Sequence, residues 1–428
     1  MTIGLIVATR RGCGSFAEGF RRKQVVTKIS AQDHLPGTTA AVQQNVAKGA
    51  RDIRVDFFRG MALIFIFLDH IPDNNMNWIT IRNFGFSDAT EIFVFISGYS
   101  AAKAYSRYLE RDGILFATAR ILKRCWQLYV TQLLLFLAFT AQVAYTAAHF
   151  SNPMFSEEMN IVNFLNEPHV TILQALLLRF RPANMDILPL YIVLLGGFPL
   201  ILWGLARLRW MVLLLSAVLY LAAGALHWNL STWPDGVWLF NPFTWQFLFV
   251  LGAACGLSRG EFPWLVRLQS FIAPLAVLYL SASCFIAMGW RFPLLQRWVP
   301  DLLEALIYPI DKTNLDVLRL LHFFALAFLV RWLIPANSRL LTWRPLHPVE
   351  ICGQHSLEIF SISIFLSFLA HLWLVEVNDS LGSQLSVSLI GFSVMAGFAY
   401  YLHWYHQAER KSQASRAGAA SLPSGGTP

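Results

Sequence analysis

Charge is what this chain has least of. Of its 428 residues, 14% are Asp, Glu, Lys or Arg, where a soluble domain carries roughly 25%. A water-soluble globule of this size would lack the polar surface to cover itself. Cysteine is sparse as well: Cys13, Cys125, Cys255, Cys284 and Cys352 are widely separated and form no CxxC pair. That argues against a redox pair or a metal site, and no metal is expected. No internal repeat is visible, which weakens an inverted-repeat transporter. Apolar residues, in contrast, make up 56% of the chain, and the mean hydropathy is +0.50. Disorder and collagen-like or disulfide-rich scaffolds are excluded by the same composition. The net charge of +8 does not call for a nucleic-acid partner. In a chain this apolar, it asks which side of a bilayer the positive charge faces.

Ten apolar segments approach the ~20 residues that a bilayer requires. They run over 55–73, 86–105, 125–149, 186–206, 210–227, 238–257, 270–289, 316–334, 352–375 and 385–405. With both tails on one side, that side holds 24 of the 33 Lys and Arg, counting Arg331 at the inner end of the eighth span, the other side 6, and three lie deeper within spans. The bias puts both termini in the cytoplasm. The expectation is therefore an all-α polytopic membrane protein with ten transmembrane helices. Residues 1–52 read as a cytoplasmic, partly disordered tail, 53–407 as the membrane domain, and 408–428 as a disordered tail. Between the third and fourth spans, 161–180 has the pattern of an amphipathic helix lying on the membrane. It serves either as a lid or acceptor ledge, or simply as a spacer.

An ionisable side chain at membrane depth costs roughly 2.5–3.5 kcal/mol even on a lenient scale, so each one kept there asks for a reason. Arg59 and His70 lie eleven positions apart in the first span, on one helix face, with ~16 Å of rise between them. Arg59 lines a cavity or snorkels to the interface; His70 is a reacting imidazole or a hydrogen-bonded packing residue. In the second span Asp88 and Glu91 share a face, with Ser87 as the expected cap. They are either part of a helix start or partners for a histidine at the same depth. Arg120 and Arg124, four apart at the inner border, suit a phosphorylated ligand or plain anchoring. Further along come Asp186 at the fourth span's start, Asn241 and Gln246 in the sixth, and Lys312, Arg319 and His322 at and within the eighth. His355 and Glu358 follow at the ninth span's start, three apart. Sorted by depth, Arg59, Arg120, Arg124, His355 and Glu358 line an inner half of a path. His70, Asp88, Glu91, Asp186, Gln246, Arg319 and His322 line the outer half. Cations of the phosphate-binding type inside and an acid–base cluster outside fit transfer of a group from a cytoplasmic donor to an outside acceptor.

The stretch from Asp56 to His70 resembles the first span of the acyltransferase type 3 membrane O-acyltransferases, which carry Arg, ten residues and then His. Arg120 and Arg124 match that superfamily's Arg-x-x-x-Arg. The run Phe84-Gly85-Phe86-Ser87-Asp88-Ala89-Thr90-Glu91-Ile92-Phe93-Val94-Phe95 with Ser97-Gly98 resembles the OpgC family within it. So do Asp186-Ile187-Leu188-Pro189-Leu190-Tyr191, Asn241-Pro242 with Trp245-Gln246, and Gly353 to Glu358. The resemblance covers about residues 51–405. It implies ten spans in a bacterial inner membrane and O-acylation of a glycan, in the family's named member succinylation of osmoregulated periplasmic glucans. The N-terminal extension has no family counterpart.

On this reading His70, Asp88, Glu91 and Arg319 are catalytic. Arg59, Arg120, Arg124, His355 and Glu358 bind the acyl-CoA donor, and Asp186, Asn241, Gln246, Lys312 and His322 bind the acceptor. Acyl-CoA, succinyl-CoA for this family, is a co-substrate, and no permanently bound cofactor is expected. Membrane lipid, the periplasmic glycan and a second copy of the chain are the expected partners. A base removes the sugar hydroxyl proton, and Arg319 or Gln246 stabilises the oxyanion. The alternative in which His70 carries the acyl group covalently stays open. A proton-coupled transporter, relaying protons along the carboxylates and histidines, is the competing class.

Overall fold

The computed structural model describes residues 52–258, 262–289, 291–335 and 338–420. The predicted N-terminal tail lies outside them, except for Asp52. Every regular element among the described residues is helical. Asp52 begins the first, α1 (Ile53–Asp69), by accepting the Arg54 N–H on its carboxylate at 3.2 Å. The chain then makes two 3₁₀ turns before α2 (Ala89–His149). There follow α3 (Ile187–Arg207), α4 (Arg209–Ala225), α5 (Pro242–Leu257), α6 (Pro263–Gly289) and α7 (Val317–Leu333). The last three are α8 (His347–Gln354), α9 (Ser356–Glu376) and α10 (Leu381–Ala420). Helices thus lie on all ten predicted segments. Five of them, α2, α3, α6, α9 and α10, are long and apolar enough to cross a membrane.

The second and third predicted segments are continuous in α2. Unbroken, its 61 residues would extend ~90 Å, about three times a bilayer's hydrocarbon core. Gly113 breaks it with φ 80° and ψ 175°, a conformation that glycine enters without a Cβ clash. The arms 89–112 and 114–149 result. The expected inner loop over 106–124 is therefore helical, because its Leu, Glu, Ala, Lys and Arg residues favour helix and only Gly113 interrupts them.

The expected single helix over 161–180 is instead two short ones, Val162–Asn166 and Pro168–Leu176. Pro168 lacks the N–H that a continuous helix would need there and takes the first position of the second. At the other end α10 runs on to Ala420, through residues expected to form a disordered tail. Residues 408–413 are rich in helix formers, and Gln413 donates to Glu409 one turn back at 3.4 Å. Residues 421–428 lie outside the described residues.

Two close helix crossings hold the centre. A Cβ on Gly98 would meet the Phe249 carbonyl of α5, and one on Gly252 would meet the Phe95 carbonyl of α2. Small residues let the two backbones touch, a packing mode suited to lipid. Around that crossing Phe198, Trp245, Phe249 and Phe360 are fully buried. The second crossing joins α1 to α8 at Gly60 and Gly353. Outward faces are apolar instead: Trp210, Leu214 and Leu215 on α4, Phe271, Leu275 and Leu278 on α6, and Leu389 and Ile390 on α10 are exposed. A soluble protein avoids apolar patches of that extent; a bilayer covers them.

Candidate active site

Asp88, and not the expected Ser87, caps the first arm of α2. Its carboxylate accepts the Thr90 N–H at 2.8 Å, and Glu91 reaches back to accept the Asp88 N–H at 2.9 Å. This is a reciprocal capping box with an acidic cap, which the helix dipole also favours. Ser87 is thereby released to share a 2.7 Å hydrogen bond with His322 Nδ1 from α7. His322 packs against the Phe86 and Tyr279 rings. Gly85 lies directly beneath the imidazole, where any Cβ would collide with it.

The capping carboxylates do more than start a helix. Arg319, one turn before His322, donates Nε to Glu91 Oε1 at 2.8 Å and Nη2 to Asp88 Oδ2 at 3.1 Å. Lys312 Nζ, from the loop before α7, reaches Asp88 Oδ2 at 2.6 Å. Glu91 is fully buried and Arg319 nearly so. Two carboxylates and two cations form a closed group of balanced charge, the only arrangement in which buried ions are tolerated. The structure therefore brings together Asp88, Glu91, Lys312, Arg319 and His322.

His70 sits at the edge of that group. It caps the C-terminus of α1 through its backbone N–H, and Lys312, Asp88 and Arg82 lie within electrostatic reach of its ring. Its Nδ1 is buried without a hydrogen-bond partner. The two carboxylates expected as its partners are turned to Arg319 and Lys312. The neighbouring Asp69 points elsewhere, accepting from Thr80 Oγ1 at 2.9 Å, as adjacent helix positions dictate.

Near the start of α1, Arg59 forms a second polar group. It donates to Ser100 Oγ on α2 and to the Gly353 carbonyl of α8 at 3.5 Å, and lies 3.6 Å from Asp56. The nearness of Gly60 to α8 sets this contact, since no side chain separates the two backbones. Arg59 and Arg124 both lie within electrostatic reach of the Tyr191 hydroxyl on α3. Arg120 is more exposed, stacked over Tyr108 at 4.3 Å and Phe116 at 5.0 Å. Arg124 donates to Gln127 at 3.3 Å. His355 falls at the break between α8 and α9, its ring 5.3 Å from that of His406 and 6.0 Å from that of His403. Glu358 follows in the first turn of α9. No group of His, Cys, Asp and Glu able to hold a metal ion occurs among the described residues.

The remaining predicted acceptor residues separate. Asn241 is fully buried, capping α5 and donating to Trp228 O at 2.6 Å and Asn314 Oδ1 at 2.8 Å. Gln246 is consumed by α4, accepting from Ser216 Oγ at 2.6 Å and donating to Ser216 O at 2.9 Å. Every polar atom of these two amides has a partner within the fold. Asp186 pairs with Arg181 at 2.9 Å and lines a cavity of about 200 Å³. Sequence reasoning passed over Ser100, Arg181 and Tyr191. Arg181 carried a signal as a cation five residues before Asp186, and Tyr191 as the last residue of the family-like run from Asp186.

Residues 51–407 match the family model described as OpgC protein. The match takes in α1 through most of α10, and the chain belongs to the OpgC family. No curated protein matches it.

Proposed function

We propose that this OpgC-family chain is an inner-membrane O-acyltransferase that moves an acyl group, succinyl in the family's named member, from cytoplasmic acyl-CoA to hydroxyls of a periplasmic glucan. Ten spans with both termini in the cytoplasm give the matching topology, supported by the Lys and Arg bias and by the helix found on each predicted segment. In that orientation Arg59, Arg120 and Arg124 face the cytoplasm, and His70 with the Asp88–Glu91–Arg319–Lys312 group faces the periplasm.

The observation that carries this reading is His70 Nδ1, a buried imidazole nitrogen with no partner, beside a fully paired charge group. Burying a polar atom unsatisfied costs roughly 1–3 kcal/mol, and such costs gather where a ligand completes the set. Two routes use it. In the first the imidazole takes the glucan hydroxyl proton while the oxygen attacks the thioester carbonyl; CoA leaves as thiolate and is then protonated. In the second the imidazole attacks the carbonyl, releases CoA as the thiolate, and passes the acyl group to the sugar oxygen, whose proton goes to the departing imidazole nitrogen and from there to the thiolate. In both, the charge group's part is to present N–H donors of Arg319 and Lys312, oriented by their carboxylates before reaction begins, to the developing oxyanion. The inner arginines bind the anionic CoA.

The transporter reading gains little from this arrangement. A proton relay needs titrating groups strung along a path, whereas Asp88 and Glu91 are tied together at one end by Arg319 and Lys312. The test is mass spectrometry of periplasmic glucans from cells with and without the protein, and from cells carrying His70→Ala. Acyl esters that depend on the wild-type chain support the proposal; identical glucans in all three defeat it.

A further inference from the structure

The 200 Å³ cavity beside Asp186 lies outside the charge group, and of its lining the acyl-transfer reading uses only Asp186. Two outer segments build it. Residues 179–186 supply Arg179, Arg181 and Asp186, and the loop 231–239 supplies Trp233, Asp235 and Leu239.

Its walls are fixed by the fold. The Arg181 guanidinium is held by Asp186, by the Leu178 carbonyl at 2.6 Å and by the Trp238 ring at 4.5 Å. Asn160 donates to the Arg181 carbonyl at 3.0 Å. The loop is a small antiparallel turn, with Ser231 bridged to Val237 and Thr232 N–H donating to Gly236 O at 3.1 Å. Gly236 makes the turn at φ 97°. Trp233 N–H ties the turn to the Arg179 carbonyl at 2.9 Å. Arg179, which donates to Ser231 Oγ at 3.2 Å, and Asp235 are both exposed.

The chemistry of this lining narrows the ligand. Two guanidiniums, two carboxylates and an indole, with neither sign in excess, do not select an anion or a cation. They do suit a neutral polyol, whose hydroxyls both donate and accept while its C–H face lies on an aromatic ring. The volume falls below the ~300–1,000 Å³ of pockets for drug-sized ligands, which excludes CoA and leaves room for one sugar ring. The location agrees. Leu239 in the lining precedes Phe240, whose ring lies 5.5 Å from Lys312 Nζ, and Lys312 is the cation bound to Asp88. One residue of chain separates the cavity wall from the charge group.

We propose that this cavity is an acceptor subsite that holds a hexose unit of the neutral glucan and so aims a hydroxyl of a neighbouring unit at His70. The proposal rests on the acyltransferase reading for its ligand, and its test does not require turnover. A β-linked glucohexaose is titrated into purified full-length protein in detergent, with Arg179→Ala and Asp235→Ala, singly and together, as variants. Both side chains are exposed, and the melting temperature of each variant checks folding. Loss of hydrogen bonds to charged groups weakens binding by about tenfold to a hundredfold. Hydrogen exchange of the wild type adds an independent measure, with slower exchange expected over 179–186 and 231–239 when the hexasaccharide is present. Equal binding by wild type and double variant, no protection of these segments, or no binding at all overturns the subsite. Binding that meets these expectations in a protein that leaves cellular glucans unacylated keeps the subsite and defeats the enzyme reading.

Discussion

Arg319 and Glu91 meet in a side-on ion pair, Nε to Oε1 at 2.8 Å, that ties the first turn of α7 to the first turn of α2. The two residues are 228 positions apart, and the carboxylate is wholly out of solvent. Glu91 serves twice, closing a capping box on one oxygen and receiving Arg319 on the other. A local signal and a tertiary contact thus share one side chain.

Removing Arg319 leaves two buried carboxylates with Lys312 alone. Breaking a buried pair from one side costs ~3–5 kcal/mol, so Arg319→Met is expected to lower the melting temperature in detergent and the yield of folded protein. Glu91→Gln combined with Arg319→Met recovers part of that loss, because the double change removes both charges. Thermal melting of the two singles and the double measures the coupling. Strict additivity would show that the contact carries no energy.

His70→Ala is expected to keep the fold and lose the chemistry. The ring makes no hydrogen bond through Nδ1, so its removal forfeits little structure. Loss of a general base slows transfer by roughly 10²–10⁴-fold. Glucan acylation and melting temperature, measured on the same variant, separate the roles. A large fall in melting temperature with acylation per folded molecule unchanged would make His70 a packing residue and shift the chemistry to His322 or His355.

Much of the helical order was legible, because apolar runs are local features, although the cap of α2 fell one residue later than expected, on Asp88. Of the residues assigned to the outer half, Asp88, Glu91, Arg319 and His322 do converge, joined by Lys312. Pairing was not. Spacing gives the face of a helix but not which neighbour that face meets, so the carboxylates were assigned to His70 when Arg319, always charged and bidentate, competes better for them. Asn241 and Gln246 misled for a related reason. A buried amide in an apolar helix reads as functional, yet both satisfy backbone carbonyls of neighbouring elements.

At the other end, Arg120→Ala and Arg124→Ala are expected to raise the KM for acyl-CoA while the KM for glucan stays nearly fixed. Arg120 is exposed and Arg124 half-buried, and each makes one side-chain hydrogen bond, to Tyr108 and to Gln127, that a phosphate can replace. Surface substitutions of this kind change stability within about 0.5 kcal/mol. Steady-state kinetics with donor and acceptor varied in turn decide the matter, and an unchanged donor KM returns both arginines to membrane anchoring.

A reporter fused after Gln413 is expected to read as cytoplasmic, and one inserted at Asp235 as periplasmic. The first site lies beyond the most apolar part of α10, and the second at the exposed tip of the loop before α5. The Lys and Arg bias motivates both assignments. Two readings on the same side of the membrane would overturn the ten-span topology.

The crossing of α1 with α8 makes the last prediction, since it tests how the inner polar group is held. A Cβ on Gly60 would strike the Val349 carbonyl, and one on Gly353 would strike the Asp56 carbonyl. The obstructing atoms are backbone, so neither can swing aside as a side chain would. The helices must separate, and overpacking of this kind costs ~1–3 kcal/mol. Separation also draws the Gly353 carbonyl away from Arg59, which donates to it from the adjacent position. Gly60→Ala is therefore expected to lower the melting temperature and to raise the KM for the donor more than that for the acceptor. Gly397→Ala is the control, because nothing lies within 4 Å of its added methyl group and alanine is the better helix former. If Gly60→Ala and Gly397→Ala melt alike and use acyl-CoA alike, the close crossing does not position Arg59.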